Sequence, residues 1–286
     1  MKNLICALFT LTVFASCKSK SANHGADSLN VLSPGHDSIA KFKTLLQGSW
    51  VTKDYTDDLI KTKSPIASRQ YLSGEMALII ENSDKTPDSL KISCRTSIHE
   101  GGDTPVSFYF DTKSKSLITK PDAKSGFSEL TYQITQHDTS LVMYYHDVKS
   151  HIIRPHYYVK AMGTDVSHLY ETDAVQTITN HILFTGAYTL IDSTNKSSLV
   201  KLTNDGLVIG HPDLKNYFVM TDFIFGDDMG EGNNLDEILF NWYDKNLQKA
   251  KFIYKINKDT IKLFADTVTT GKLIPGKLTY RLVKKK

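Results

Sequence analysis

Leu45-Leu46-Gln47-Gly48-Ser49-Trp50-Val51 returns in altered form as Leu183-Phe184-Thr185-Gly186-Ala187-Tyr188-Thr189. In both stretches two apolar residues and a polar one lead into a glycine, a small residue, a large aromatic and an extended run. Ahead of the first, Ile39, Phe42, Leu45 and Leu46 are spaced for a short helix over 38–46. After it, apolar and polar residues alternate. Val106, Phe108 and Phe110 form one such run, Leu130, Tyr132 and Ile134 another, with more at 76–80, 141–145 and 156–162. Leu90, Ile92, Cys94, Thr96 and Ile98 share a further strand face, which makes Cys94 a small buried packing residue. Period-two patterning broken by frequent turn residues predicts antiparallel strands in a barrel or a sandwich. The fold class is all-β.

The rhythm pauses over 163–182, where polar and apolar residues mix; this reads as a linker holding a helical turn or two and the domain boundary. Strands are expected again at 188–191, 199–203, 217–225, 237–243, 252–256, 261–265 and 278–283. Asn204-Asp205-Gly206 marks a hairpin, because Asp-Gly supplies the positive φ that tight turns require.

The two halves repeat. Tyr132-x-Ile134 recurs as Tyr254-x-Ile256, an offset of 254 − 132 = 122. Leu141 and Leu263, Tyr158 and Tyr280, and Asn82 and Asn204 share that offset, while Asp138-Thr139 meets Asp259-Thr260 one residue out of step. The glycine anchors differ by 186 − 48 = 138, so the first copy carries 138 − 122 = 16 additional residues, which fall within 55–72. They are expected to form a longer loop after the opening strand.

A chain of 286 residues that is 40% hydrophobic can bury a sizeable core in one or two domains. Its net charge of +3, from 34 basic and 31 acidic residues, gives no broad electrostatic case for nucleic acid. Lys284-Lys285-Lys286 is read as a solvated end. Lys2, the apolar run 4–14 and Ala15-Ser16-Cys17 have the order of a secretory signal peptide, too short to span a bilayer. The polar stretch after Cys17, up to residue 37, has no periodicity and reads as a flexible tether. Cys6 falls in that leader and Cys94 lies alone in the body of the chain, so no internal disulfide framework is expected.

Ala15-Ser16-Cys17 resembles the lipobox of bacterial lipoproteins, although Phe14 stands where Leu is commonest. The resemblance implies a signal peptide 1–16, lipidation of Cys17 and a tether 17–37, so that one partner is the membrane. Lys18, in place of the Asp that retains some lipoproteins at the inner membrane, implies a cell-envelope site on the outer membrane, facing the periplasm.

Gly48-x-Trp50, followed by antiparallel strands ending in Tyr158, resembles the lipocalin-like barrels; Gly186-x-Tyr188 with Tyr280 is a degenerate echo. This resemblance implies tandem small antiparallel lipocalin-like barrels at 38–162 and 183–286, with β-sandwiches as the alternative. Gly48, Trp50, Gly186 and Tyr188 become structural anchors at the closed ends, with a basic residue of the last strand, Lys160 or Arg281, over the aromatic. The 55–72 loop becomes a lid near the first mouth. An apolar or amphipathic small molecule would then meet Tyr55, Tyr71, Phe108, Phe110 and Tyr132, although the last three also read as plain core. The second expectation is a protein-interaction or structural envelope module with filled cores, no small-molecule ligand and an envelope protein as partner.

Chemistry-bearing motifs are sparse. Asp227, Asp228, Glu231, Asn233 and Asp236 lie on a glycine-rich stretch and are the oxygen ligands a calcium ion would take; a solvated hairpin loop is the alternative. Met229 breaks the EF-hand spacing. His137, His146, His151 and His156 are spaced to alternate faces of strands rather than to converge. Gly-x-Ser-x-Gly, His-Glu-x-x-His and a phosphate loop are absent, and Ser38-Ile39-Ala40-Lys41 lacks the Ser-Asp-Asn and Lys-Thr-Gly that give such a pattern meaning. The expectation is a protein that is not an enzyme and has no cofactor beyond that calcium.

Overall fold

Gly48 and Gly186 hold φ at +122° and +151°, a region that side chains disfavour, and each carries the chain from a helix into the first strand of a sheet. This computed structural model describes residues 38–80, 89–96, 102–135, 139–151, 153–161, 174–222, 235–242, 244–269 and 272–285. Cys17, the 1–16 leader and the 17–37 tether lie outside the described residues, as do Asn82, His137 and Asp138.

Helix α1 (Ser38–Leu46) feeds β1 (Gly48–Thr52), and β2 (Ala77–Ile80), β3 (Ser89–Arg95), β4 (Asp103–Asp111), β5 (Ser116–Ile118), β6 (Phe127–Ile134), β7 (Thr139–His146) and β8 (Ile153–Lys160) follow. Each strand pairs antiparallel with the next, and β8 returns to β1 to close a barrel. Helix α4 (Ala174–Leu183) then feeds β9 (Gly186–Asp192), β10 (Ser197–Leu202), β11 (Val208–Ile209) and β12 (Tyr217–Val219). The set ends with β13 (Glu237–Phe240), β14 (Ala250–Asn257), β15 (Thr260–Thr269) and β16 (Lys272–Lys284). These eight form an antiparallel sheet in the same meander order, with β16 back against β9. Its edge strands β11 and β12 meet at an isolated bridge, Leu207 to Asn216, beside hydrogen bonds from Val208 N to Lys215 O (2.8 Å) and Tyr217 N to Gly206 O (2.7 Å).

The 122-residue offset is a strand register. Tyr132 stands opposite Leu141 and Leu141 opposite Tyr158; Tyr254, Leu263 and Tyr280 repeat the ladder. The closing pair differs. Trp50 pairs with Lys160 and Thr52 with Tyr158, whereas Tyr188 pairs with Lys284 and Asp192 with Tyr280. The second pair has slid by two residues, an even slip that leaves every side chain on its face. Consequently Lys160 reaches over Trp50, with Nζ 5.4 Å from the ring centroid, but Arg281 does not reach Tyr188. Lys284 takes that place: a β-carbon on Gly186 would stand 3.1 Å from its Cε, as one on Gly48 would from Lys160 Cε. Lys284 is therefore part of a strand rather than of a solvated tail.

Two segments are more helical than their sequence suggests. The stretch between β1 and β2 is not a loop but α2 (Lys53–Thr62), α3 (Pro65–Ser68) and a 3-10 turn at Arg69–Tyr71. In α2 the buried apolar residues are Tyr55 and Leu59, one turn apart, too few to show a period. Helix α4 buries Gln176, Thr177, Thr179 and Asn180 along with its apolar residues, so no polar face announces it.

The core divides accordingly. Inside the barrel, Trp50, Leu78, Ile92, Phe108, Tyr132 and Tyr158 pack with Ile39, Phe42 and Leu46 of α1. Trp50 Nε1 donates to Leu46 O at 2.8 Å, satisfying a carbonyl that the end of α1 leaves open. A second cluster fills the other sheet and continues outward through α4 to Tyr55 and Leu59 of α2, and to Val51 and Ala77 on the outer face of the barrel.

Candidate functional site

The five positions expected around a ligand are split between two places. Phe108 and Tyr132 are buried in the barrel and Phe110 packs partly buried beside them. Their space is taken by the chain itself. The Phe42 ring lies 5.5 Å from that of Tyr132, edge-on at 78°, and 6.1 Å from that of Phe110. Tyr55 is fully buried in the other cluster, and Tyr71 is exposed on the 3-10 turn. The 55–72 segment thus does not lie over Phe108 and Tyr132; it lies between the barrel and the second sheet.

Its geometry there is that of a strut. Thr179 Oγ1, 2.6 Å from Val175 O, has its single proton engaged on that carbonyl. Tyr55 therefore donates its hydroxyl to Thr179 Oγ1, at 2.7 Å, across the two units. Helix α2 ends at Lys63, with φ at +58° and its N–H on Leu59 O, and the chain turns into α3, where Ser64 Oγ accepts from Ala67 N at 3.1 Å. The next free amide, Ile66 N, donates to Asp236 Oδ1 of the second unit at 3.1 Å.

Asp236 was expected among calcium ligands. Its Oδ1 accepts from the first turn of α3, and Asp227, Asp228, Glu231 and Asn233 lie outside the described residues. Burial raises the Asp236 carboxyl above its ordinary 3.8, against lowering hydrogen bonds from Ser64 and Ile66. A raised folded-state pKa favours the protonated native form, so its contribution is complete at low pH and is lost as pH rises through the folded value. Asp236→Asn, which keeps the acceptor without the charge, is expected to be at least as stable as the parent at pH 7, with that advantage shrinking toward pH 4. Asp236→Ala orphans Ile66 N and is expected to cost about 1–3 kcal/mol. Urea titrations at both pH values read this; an Asn variant weaker than the parent at pH 7 would show that the carboxylate charge on α3 outweighs its desolvation.

At the end of the barrel away from α1, Tyr158 donates its hydroxyl to Glu75 O at 2.8 Å. Cys94 shares that region, 3% exposed, and burial, then Glu75 and Asp103, push its thiol up to about 12. Such a group is a neutral packing residue rather than a nucleophile. Its reaction with a disulfide reagent at pH 8 is expected to run on the order of a thousandfold slower than that of a free thiol, with full reactivity restored in denaturant. Rapid native-state labelling would mean that the barrel opens there. Desolvation raises the Glu75 carboxyl, opposed by His156.

Among the described histidines of the barrel, His156 stands apart from His146 and His151. His156 pairs with Met143 of the barrel interior. His146 turns outward, stacked on Phe127 at 4.2 Å and 7° and held by Glu129 Oε2 at 2.8 Å. Phe127, His146, Val148, His151 and Ile153 border a shallow cavity of about 350 Å³ on the outer surface. Among the described residues no group of three or more His, Cys, Asp or Glu is placed to hold a metal ion, and no helix is long and apolar enough to cross a membrane. Sequence reasoning missed Thr179 and Asp236 as partners of the 55–72 segment, and no local signal marks either.

Compared with known protein families, with characterised proteins and with solved structures, the chain matches none.

Proposed function

We propose that the chain is a non-catalytic cell-envelope lipoprotein, held through Cys17 on the outer membrane facing the periplasm, that presents two joined β units to a protein partner. The observation that carries the docking reading is the occupied barrel interior, where Phe42 of α1 sits against Tyr132 and Phe110. Packed interiors have little room for a ligand beside their own side chains, and the 55–72 segment, the candidate lid, is engaged with α4 and Asp236. Surface rather than cavity then remains for recognition.

A second reading keeps a small molecule at the barrel end bordered by Glu75, Cys94 and His156, where titratable groups meet the interior. Native mass spectrometry of the purified chain separates the two. The docking reading expects the polypeptide mass with its lipid modification alone. A further, non-covalent lipid-sized mass would overturn it in favour of the ligand. Incorporation of labelled palmitate, lost in Cys17→Ala, tests the anchor.

A further inference from the structure

The outer faces of the two units can be compared strand by strand, and one stripe appears on both. In the barrel, Val51 of β1 stands between Val159 of β8 and Ala77 of β2. In the second sheet the matching position is Thr189 of β9, between Val283 of β16 and Leu199 of β10. The match extends to the backbone: Ala161 N donates to Ser49 O at 2.9 Å, and Lys285 N to Ala187 O at 2.8 Å. The alternate residues Tyr188, Leu190, Val200 and Leu282 fill the sheet interior, so the stripe faces outward.

The two stripes are treated differently. Val51 and Ala77 are 0% and 1% exposed, because α2 and α4 pack on this face, and Tyr55, Leu59, Val175 and Ile178 join them in one buried cluster. On the second unit Leu199 is 61% exposed, Val283 37%, and Ile209 of the adjoining β11, across from Lys201, 53%. Apolar groups gathered on one outer sheet face, here Leu199 and Val283 on either side of Thr189 with Ile209 nearby, mark an interaction site more often than single exposed residues do. Charge distinguishes the stripes too. Lys201 and Lys285 flank Ala187 at one end of the bare stripe, and Arg281 pairs with Ile191 at the other. The outward positions 187, 189, 191, 197, 199, 201, 281, 283 and 285 include no Asp or Glu.

The geometry points to a docking site for an amphipathic helix of a partner protein on the outer face of β16, β9 and β10, covering Val283, Thr189 and Leu199 as the helices α2 and α4 cover the corresponding stripe of the barrel. The helix has an apolar stripe of Leu, Ile or Val, with Asp and Glu at its flanks to meet Lys201, Lys285 and Arg281. A helix is favoured over an extended peptide because the face is the middle of a sheet, whose β9 is already paired on both sides, and because a helix is what the equivalent face receives. This inference rests on the docking reading above and names its partner class.

The probe is a synthetic helix of about fourteen residues, with leucines on one face and glutamates beside them, titrated into the full chain and followed by calorimetry and amide chemical shifts. Saturable binding is expected, with shifts centred on β9, β10 and β16. Leu199→Asp, at a surface position that leaves the fold intact, is expected to weaken it by roughly tenfold or more. Replacing the probe's glutamates by lysines is expected to do the same, and the loss from Arg281→Glu is expected to fade at high salt. Absence of binding, or binding indifferent to Leu199→Asp and to the probe's charge, overturns the inference. So does attachment to vesicles of phosphatidylglycerol and phosphatidylcholine, or concentration-dependent dimerisation, if Leu199→Asp abolishes either, since the face would then belong to a membrane or to a second copy. Failure of the docking reading itself shows separately, as a co-purified lipid-sized mass that Leu199→Asp leaves in place.

Discussion

Phe42→Ala is expected to cost about 3–5 kcal/mol of stability while leaving the strands assembled. Phe42 is 1% exposed, and its ring fills the space between Tyr132 and Phe110 at the end of the barrel where α1 enters. Removing it deletes a large transfer contribution and leaves a void that a β-barrel, whose wall is fixed by its own hydrogen-bond ladder, cannot collapse around. A void lined by apolar groups stays dry and accepts a small aromatic. Benzene is therefore expected to raise the melting temperature of Phe42→Ala more than that of the parent. Denaturant unfolding and a thermal scan with and without benzene measure both effects. A loss below about 1 kcal/mol, of the size seen at tolerant sites, would mean that α1 is not a structural plug and that the lumen has room of its own. That outcome would return the ligand reading to first place.

The sequence displayed the elements whose patterning is set by a single apolar face. Helix α1 shows its spacing because one side meets the barrel, and β4, β6 and β14 alternate because one side faces inward. Gly48 and Gly186 were legible because each sits where positive φ is needed and little else fits. What stayed hidden is contact between units. Helix α4 is enclosed between the second sheet and the outer wall of the barrel, and a helix buried on opposite sides has no polar face to reveal its period. Helix α2 hides for the opposite reason, presenting little beyond Tyr55 and Leu59 to the core and charge elsewhere. Asp236 belonged by composition to an acidic, glycine-rich stretch, and only tertiary structure shows that its acceptor is directed at Ile66 N. Lys284 was read as tail because the two-residue slip between β9 and β16 follows from how the sheet closes, not from any local pattern.

Leu59→Ala is expected to cost about 2–5 kcal/mol, and its neighbour Ile60→Ala less than about 0.5 kcal/mol, although the residues are adjacent on one helix. Leu59 is 0% exposed and Ile60 53%, which by itself decides the ranking. The more informative readout is where the loss is felt. Leu59 belongs to the cluster that contains Val51 and Ala77 from the barrel and Val175, Phe240 and Tyr254 from α4 and the second sheet. A cavity there loosens packing on both sides of the seam, which the Tyr55–Thr179 and Ile66–Asp236 hydrogen bonds also cross. Hydrogen exchange of Leu59→Ala followed by mass spectrometry is therefore expected to show faster opening in β1 and β2 and, to a similar degree, in α4 and β14, whereas Ile60→Ala leaves both as in the parent. Faster exchange confined to β1 and β2 would mean that the helical segment serves the barrel alone and that the two units open independently. Joint opening means that the sixteen additional residues of the first copy hold the second copy in place, so that the bare face of β9, β10 and β16 is presented in a fixed orientation to whatever binds it.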